Sequence, residues 1–276
     1  MRDDHHDPSL LPSQRTLEIR GQRWYHVPRG VRDSESERAI WRDLDVPRIV
    51  ILQSDIAMAE GWDDLEGLVV KSDGSSRARA RVLNASVLPS LSSLVRLHSG
   101  DLEEVDFRFL RRLRAADFFG SPGGAALLDL PLLEDLRWVA SNEVSPARLS
   151  APALEELWLE HWPHLETLDG VEVSDNLQRL RIVRCRNLQD LSACRSAKVL
   201  DIEGSSKLNL DSLAGARIQG LSLMNCGEIP GIEVVSAIGG LEFLNLMGNT
   251  NVSGGDLTPA RGLDVFCSPK RRSYRF

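Results

Sequence analysis

The sequence contains very little lysine and has no overall excess of positive charge. Only Lys71, Lys198, Lys207 and Lys270 are present, so arginine supplies the other 29 of the 33 basic residues, and the formal net charge is −7. Because general nucleic-acid binding depends on a strongly basic surface, this balance argues against such a protein but leaves a local basic patch open. The arginine usage and frequent alanine favour a bacterial source with a GC-rich genome.

Long apolar runs are also missing. No stretch approaches the roughly 20 apolar residues that a membrane-spanning helix needs. The opening segment, MRDDHHDPSLLPSQR, lacks the apolar centre of a signal peptide. We therefore expect a cytoplasmic protein that does not contact a membrane.

The four cysteines show none of the spacings typical of a metal or redox site. Cys185, Cys194, Cys226 and Cys267 form no CxxC pair and no zinc-binding pattern with histidine. We expect reduced, structural thiols and no metal or other cofactor. Residues 3–7, DDHHD, carry metal-ligating side chains, but a terminus of this composition is usually disordered.

Signatures of common catalytic sites are absent as well. The sequence has no P-loop, GxGxxG turn, GxSxG elbow or HExxH helix, and the GSPGG segment at 120–124 has no accompanying lysine. Glu160 and His161 form the one acid–imidazole pair on the surface discussed below. Since adjacent residues on a strand point to opposite sides, we expect no acid–base couple there and no enzymatic activity. The alternative is an enzyme whose site is built by loops such as 72–87.

What the sequence does contain is a repeat with the frame LxxLxL. It is clearest in LEELWL from Leu154, LQRLRI from Leu177 and LEFLNL from Leu241. The first positions of the series are Leu110, Leu133, Leu154, Leu177, Ala197, Ile218, Leu241 and Leu263, at intervals of 23, 21, 23, 20, 21, 23 and 22 residues. Weaker copies begin at Val46, Leu65 and Leu91, the last with Arg96 at its sixth position. The series predicts about eleven strands.

The frame predicts stacked parallel strands with one buried face. Positions four and six point to one side of a strand, and positions three, five and seven point to the other. One copy cannot bury its leucines alone, so neighbouring copies must stack. The returns between strands, such as 165–173 and 208–216, are short and have little helical periodicity. We expect them to form loops or short 3₁₀ turns that add a second apolar layer.

Over residues 46–276 the sequence resembles the bacterial leucine-rich repeat proteins with short repeats, internalin-like in repeat length. This resemblance implies a β-rich α/β solenoid, a horseshoe with a parallel concave sheet. In that family position nine is usually Asn or Cys, which forms a ladder that satisfies backbone groups. Here position nine is Cys185, Ser205, Cys226 and Asn249, whereas Ser141 and Trp162 depart from the pattern. A redox or metal pair of Cys185 and Cys226 is the less favoured interpretation.

The ends of a solenoid need caps, because each exposes a sheet edge and part of the core. Residues 1–45 are predicted to form the first cap, with disordered first residues, a hairpin around Gly21 and a helix opened by a capping box of Ser34 and Glu37. Ile40, Trp41 and Leu44 of that helix would cover the first strand. The repeat domain is then 46–276, including a C-terminal cap in which Tyr274 and Phe276 pack on the last repeat. The basic residues of 268–276 would blunt the terminal edge; the alternative is a site for an anion or an acidic partner.

The outward positions of the strands carry the candidate binding residues. Position five is Val50, Val69, Val95, Arg114, Arg137, Trp158, Arg181, Asp201, Ser222 and Asn245. With the neighbouring outward positions, this row gives the candidate partner-binding set Arg114, Arg137, Glu156, Trp158, Glu160, His161, Arg179, Arg181, Arg184, Asp201 and Glu203. Tryptophan and arginine are the residues most enriched at interface hot spots, which favours a partner footprint.

The same charges also allow a purely internal interpretation. Arg112 could pair with Asp135, Glu156 with Arg179 and Arg181 with Asp201, while Trp158 could stack on Arg137 or Arg181. We favour the footprint, and with it a non-catalytic module that binds a protein of unknown identity on its concave face. It would act as an adaptor or an immunity- or antitoxin-like inhibitor, with Glu156, Glu160 and Glu203 meeting basic catalytic residues. The alternative is a structural subunit that docks through its ends or convex side.

Overall fold

In the computed structural model, the chain divides into two compact units, Met1–Leu133 and Glu134–Phe276. It describes residues 16–19, 22–27, 34–51, 56–70, 85–101, 109–120, 128–146, 149–169, 176–195, 197–269 and 271–276. The predicted division into a cap of residues 1–45 and a repeat domain of residues 46–276 uses a different boundary and stays a prediction. The predictions for 3–7, for most of 72–87 and for 121–124 lie outside the described residues.

The described residues of the first unit form a hairpin, one α-helix and a run of parallel strands. Its elements are β1 (Thr16–Ile19), β2 (Gln22–Val27), α1 (Ser34–Asp43), β3 (Arg48–Ile51), β4 (Gly67–Val70), β5 (Arg96–Asp101), β6 (Ala115–Phe119) and β7 (Leu128–Asp129). Strands β1 and β2 are antiparallel, and β2 to β6 follow one another in parallel. The predicted hairpin and helix are both present. No helix in the described part of the chain is long and apolar enough to cross a membrane.

Aromatic contacts attach α1 to the first repeats. Trp41 is buried and stacks on Trp62, with ring centroids 4.9 Å apart. Its indole N–H donates to the carbonyl of Val46, where the first repeat begins. Glu37 is also buried and accepts a hydrogen bond from the Tyr25 hydroxyl. The side chain of Ser34, the other member of the predicted capping box, lies outside the described residues.

The outward face of the first strands is apolar and covered. Val50 and Val69, at position five, are buried in a cluster with Trp24. The prediction that this part of the row is exposed to solvent was therefore wrong. Gly67 leaves room for the Trp24 side chain that covers this face, since a Cβ atom at Gly67 would lie 3.0 Å from the Trp24 ring. The indole therefore occupies the space that a side chain at this position would need.

The predicted repeat phase was wrong in β5 and β6. Leu97 of β5 lies opposite Leu68, and Ala116 of β6 lies opposite Leu97. The first positions are therefore Leu94 and Leu113, each three residues after the predicted Leu91 and Leu110.

The physical reason for the error is that these segments repeat leucine every three residues. Leu91, Leu94 and Leu97 are all buried, so the apolar spacing alone permits two phases. Arg96 is the first residue of β5 and lies on its outward side, not at the core position that the predicted phase gave it. Arg112 and Arg114 precede β6, and neither belongs to the outward rows.

The second unit contains seven repeat strands in one parallel order. They are β8 (Asp135–Val139), β10 (Glu156–Glu160), β11 (Arg179–Val183), β12 (Val199–Glu203), β13 (Gly220–Met224), β15 (Phe243–Met247) and β17 (Asp264–Ser268). Three short strands lie in the returns: β9 (Leu149–Ser150), and the parallel pair β14 (Glu228–Ile229) and β16 (Asn251–Val252). With four repeat strands in the first unit, β3 to β6, the described residues contain the eleven strands that the sequence predicts.

Alternation along each strand builds the core of this unit. Positions four and six are buried from β8 to β15: Leu136, Trp138, Leu157, Leu159, Leu180, Ile182, Leu200, Ile202, Leu221, Leu223, Leu244 and Leu246. In β17, Val265 lies opposite Leu244, which places the first position at Gly262, one residue before the predicted Leu263.

The returns of both units contain short 3₁₀ turns, as predicted. In the second unit these are Ser192–Cys194, Leu210–Leu213, Glu233–Ala237, Ser253–Gly255 and Thr258–Ala260; in the first, Ala57–Ala59 and Ala85–Ser90. Several turn residues are buried, including Cys194, Leu213 and Val235. They form the second apolar layer beneath the sheet, and the chain is a leucine-rich repeat solenoid in its strand order and register.

A hydrogen-bond ladder follows the strands where the chain turns away from the sheet. The Trp162 indole donates to the carbonyl of Trp138 at 3.0 Å. The Cys226 thiol lies 3.5 Å from the carbonyl of Ile202. Each acceptor occupies position six of the preceding repeat. The indole of Trp162 thus provides the same contact as cysteine, although its residue type departs from the expected pattern.

The last step of the ladder is made by Thr250 rather than by the predicted Asn249. Thr250 is buried, and its hydroxyl donates to the Leu223 carbonyl at 3.1 Å and accepts from the Cys226 amide at 3.0 Å. Asn249 is exposed, and its side-chain oxygen accepts from the amide of Gly227. The chain holds one extra residue between β15 and the ladder position, which moves the polar contact to Thr250.

The ladder cysteines have the environment of structural thiols. None of the four cysteines is in a disulfide bond. The Cys185 thiol contacts the carbonyl of Val183 at 3.6 Å, and burial raises its pKa to about 11. Burial also raises the pKa values of Cys194 and Cys226. Because the thiolate is the reactive form, the raised pKa values favour structural over reactive thiols.

Candidate partner-binding face

A left-handed residue follows each central repeat strand and directs the side chains at the strand end. The φ angle is 56° at His161, 56° at Arg184 and 55° at Asn225. Gly204 and Gly248 occupy the same position with φ angles of 68° and 64°. Because the step recurs at equivalent positions, side chains on neighbouring repeats leave the backbone alike and meet. Nη1 of Arg184 lies 3.1 Å from Nε2 of His161.

We call the outward side of the second-unit sheet the ladder face. It consists of positions three, five and seven of the seven strands, with the left-handed residues at their ends. Its first four strands carry most of the charge, whereas β13 and β15 present Met224, Phe243 and Met247. The ladder face therefore changes along the strand order from charged to mainly apolar.

Trp158 lies at the centre of the charged part. The register places it between Arg137 of β8 and Arg181 of β11. The guanidinium carbons of these arginines are 4.4 Å and 4.3 Å from the centre of the indole ring. Each such cation–π contact at a partly exposed site contributes roughly 0.5–1 kcal/mol. The indole is held between two cations and stays partly exposed.

The ion pairs of the ladder face run diagonally. Three arginines each contact an acid on the next strand that lies two residues further along: Arg137–Glu160 at 2.7 Å, Arg179–Asp201 at 3.5 Å and Arg181–Glu203 at 3.9 Å. The predicted pairs Glu156–Arg179 and Arg181–Asp201 face each other in register, but Arg179 contacts Asp201 and Arg181 contacts Glu203. Glu156 has no ion pair among the described residues. Long side chains lean along the strand and reach the diagonal neighbour.

Glu160 and His161 contact each other, against the expectation that they point apart. Nδ1 of His161 lies 3.3 Å from a carboxylate oxygen of Glu160. The positive φ of His161 turns its ring back toward Glu160, which ordinary strand alternation would not do. Arg184 can only donate, so a hydrogen bond between these groups requires that Nε2 of His161 accept. Glu160 thus binds Arg137 and His161 together.

A depression of about 250 Å³ lies beside the charged part of the ladder face. Its lining residues are Arg181, Asp201, Ile202, Glu203, Ser222, Met224 and Met247. Ser222, Met224 and Met247 were not in the predicted set. The register could have revealed them, because Glu203, Met224 and Met247 occupy position seven of three consecutive strands.

Ten of the eleven predicted binding residues lie in the second unit, on the ladder face or at its strand ends. Glu156 is exposed at the start of β10, and no described residue pairs with its carboxylate. The eleventh residue, Arg114, was placed wrongly, because the phase error moved it into a row that it does not occupy.

The phase error also hid an ion pair in the first unit. His98 and Asp117 are in register at position five of β5 and β6, with Nδ1 and the carboxylate oxygen 2.8 Å apart. Arg96 at a predicted core position was the signal that the phase needed correction, since an unpaired buried arginine is unfavourable. Shifting the frame by three residues places His98 and Asp117 in the outward row.

Solved structures similar to this chain include an internalin, InlF, from Listeria monocytogenes str. 4b F2365. It has a TM-score of 0.43 and 13% sequence identity, over 81% of this chain and 79% of that chain. The functional domain of InlJ from Listeria monocytogenes, which includes a cysteine ladder, has a TM-score of 0.39 and 16% identity, over 74% of this chain. The match covers 44% of the InlJ chain, less than half its length. No protein-family model and no curated protein matches the chain.

Proposed function

We propose that the protein is a non-catalytic module that binds a protein partner through the ladder face. The observation that carries the proposal is the arrangement at Trp158, a partly exposed indole fixed between Arg137 and Arg181. Tryptophan and arginine dominate interface hot spots, and side chains that are already ordered lose less entropy when a partner binds.

Stability alone is a weak explanation for this arrangement. Partly exposed ion pairs contribute about 0–1 kcal/mol each. The fold is held by the buried rows beneath the sheet, in which Leu157 and Leu180 are 1% exposed. Binding of a partner would explain why charged side chains and the Trp158 indole lie on the face of these strands that points away from the buried rows.

The contacts of Glu160 and His161 favour binding over catalysis. Both groups are engaged with each other and with Arg137 or Arg184, so neither is a free base aimed at a substrate. We propose a cytoplasmic adaptor or an immunity- or antitoxin-like inhibitor that acts by covering a surface of its partner. The acidic side chains of Glu156, Glu160 and Glu203 would face basic groups there.

Affinity capture from a lysate of the source organism tests the proposal. The wild type is compared with a Trp158→Ala, Arg181→Glu double variant and with Arg217→Glu, a matched charge reversal at an exposed return residue. Retained proteins are identified by mass spectrometry, and circular dichroism confirms that each variant is folded. The partner is then purified, and its dissociation constant for each variant is measured.

We expect one partner that the wild type and Arg217→Glu retain and the double variant loses. Equal retention by all three would overturn binding through the ladder face, as would the absence of any partner.

The second candidate is a structural subunit that docks through its end. Phe266 of β17, the last strand in the order, ends the position-five row and is 55% exposed, so a partner that docks at this end of the order would cover it. A partner that the double variant retains and Phe266→Asp loses would establish it.

A further inference from the structure

The depression on the ladder face joins two chemically different walls. Asp201 and Glu203 of β12 line it together with Arg181 of β11, so carboxylates outnumber guanidiniums on these two strands. Met224 and Met247 line it from the next two strands, β13 and β15. The site thus offers an anionic wall and a flexible apolar wall within one volume of about 250 Å³.

The carboxylates of the depression are incompletely paired. Asp201 lies 3.5 Å from Arg179, and Glu203 lies 3.9 Å from Arg181, whereas Glu160 lies 2.7 Å from Arg137. Charge-assisted hydrogen bonds have lengths of about 2.7–2.9 Å, so the first two pairs are ionic contacts without a close hydrogen bond. Both carboxylates therefore keep acceptor capacity for another donor.

Burial adds to this incomplete pairing at Asp201. Desolvation raises the pKa of the carboxyl group, and it outweighs the lowering by Arg179 and Arg181. The negative charge is therefore less well compensated in the folded chain than in water. A third cation beside Asp201 would compensate it.

The methionine wall suits the stem of a long cationic side chain. Thioether side chains are unbranched and adjust to the shape of what they contact. Arginine places its aliphatic stem on apolar surface while its charged head stays among polar groups, and its planar fork donates to more than one carboxylate oxygen. A compact ammonium ion would use the carboxylates but not the methionines.

We propose that the depression receives an arginine side chain of the protein partner, with the guanidinium at Asp201 and Glu203 and the stem against Met224 and Met247. This inference rests on the proposed function, and it names the chemistry by which the partner is recognised. Trp158 and its arginines form the neighbouring contact area on the same face. The partner therefore presents a basic segment to β12 and β13.

A small probe tests this chemistry without the partner. The probe is Nα-acetyl-arginine N-methylamide, titrated against protein labelled with ¹³C at the methionine methyl groups. The sequence has four methionines, Met1, Met58, Met224 and Met247, of which the last two line the depression. We expect saturable shifts of the Met224 and Met247 signals and weaker binding at higher salt, with Met1 and Met58 as internal references.

The uncharged citrulline analogue, which has nearly the same shape, provides the matched ligand control and is expected to give no saturable shift. In an Asp201→Asn, Glu203→Gln double variant we expect the affinity for the arginine probe to fall about tenfold or more. Glu242→Gln, an exposed acid outside the depression, is expected to bind like the wild type. The dispersed methionine spectrum shows that each variant is folded.

The inference is overturned if the citrulline analogue binds equally well, if the double variant binds unchanged, or if no shift occurs up to the solubility limit of the probe. These results are separable from the capture experiment. A partner lost with the Trp158 variant, together with no arginine binding, would leave the proposed function standing and remove the inference. Arginine binding without any captured partner would show that the depression recognises arginine, but it would overturn the proposed function and with it the assignment of the arginine to a protein partner.

Discussion

At the scale of single residues, Asp201 shows how the ladder face combines charge with partial burial. Its side chain is 31% exposed and contacts Arg179. Burial nevertheless raises its pKa above the ordinary value of 3.8. A raised carboxyl pKa means that the folded chain binds more protons than the unfolded chain in the window just above that value. The stability contribution of this group is therefore greatest below its ordinary pKa and is lost as the pH rises through the raised value.

We expect Asp201→Asn to increase the free energy of unfolding at pH 7, because the amide resembles the protonated carboxyl that the folded site prefers. The gain over the wild type should shrink as the pH falls toward the ordinary carboxyl pKa, where the wild-type group is protonated too. Urea unfolding at a series of pH values measures both effects. Glu242→Gln, at an exposed site, should change the stability by less than about 0.5 kcal/mol. A loss of stability at pH 7 in Asp201→Asn would contradict the prediction.

At the scale of elements, each repeat strand is joined to its neighbour by two systems, the sheet and the ladder beyond it. Trp162, Cys226 and Thr250 perform the same ladder contact with an indole, a thiol and a hydroxyl. At these three repeats the contact is made by a buried donor that reaches the preceding strand, and not by one residue type. This explains why a residue pattern alone placed the last contact at the wrong residue.

Thr250→Val tests the ladder, because valine keeps the shape of threonine and removes the hydroxyl. The change leaves the Leu223 carbonyl and the Cys226 amide without their partner, and an unsatisfied buried group costs about 1–3 kcal/mol. Chemical denaturation measures the loss. Asn249→Ala, at the exposed neighbouring residue, should cost less. The opposite ranking would return the ladder role to Asn249.

The sequence predicted the repeat elements well where leucines occur only in one frame. From Leu154 to Leu241 the predicted first positions agree with the register, whereas Leu91 and Leu110 lie among leucines spaced by three that fit two phases. The stacking of Trp158 followed from strand order alone. The diagonal ion pairs and the Glu160–His161 contact did not, because side-chain lean and a positive φ leave no periodic signal.

At the scale of the whole molecule, the described chain is a series of similar repeats whose contacts are mainly with immediate neighbours. Within the second unit, the repeat strands β10, β11, β12, β13 and β15 each pair with one strand on each side. The stability of such a series is a sum of repeat and interface contributions. A defect in one repeat should therefore be felt first by the repeats beside it.

Leu180→Ala tests this locality. Leu180 is 1% exposed in β11, and truncating a buried leucine costs about 2–5 kcal/mol through lost contacts and a cavity. Hydrogen exchange read by mass spectrometry should show the largest loss of protection in β10, β11 and β12, and a smaller loss in β15. Arg195→Ala, at an exposed return residue, serves as the control. An equal loss over all seven strands would show that the unit opens as a single cooperative body.

The diagonal ion pairs allow the ladder face to change during evolution without a change in the core. Each pair joins an arginine to an acid one repeat later with the same offset, as in Arg137–Glu160 and Arg181–Glu203. Duplication or loss of a repeat preserves that offset, and replacing one acid frees one arginine without disturbing the leucines behind it. Evolution can therefore change one ion pair of the ladder face at a time, while the buried core tolerates every intermediate step.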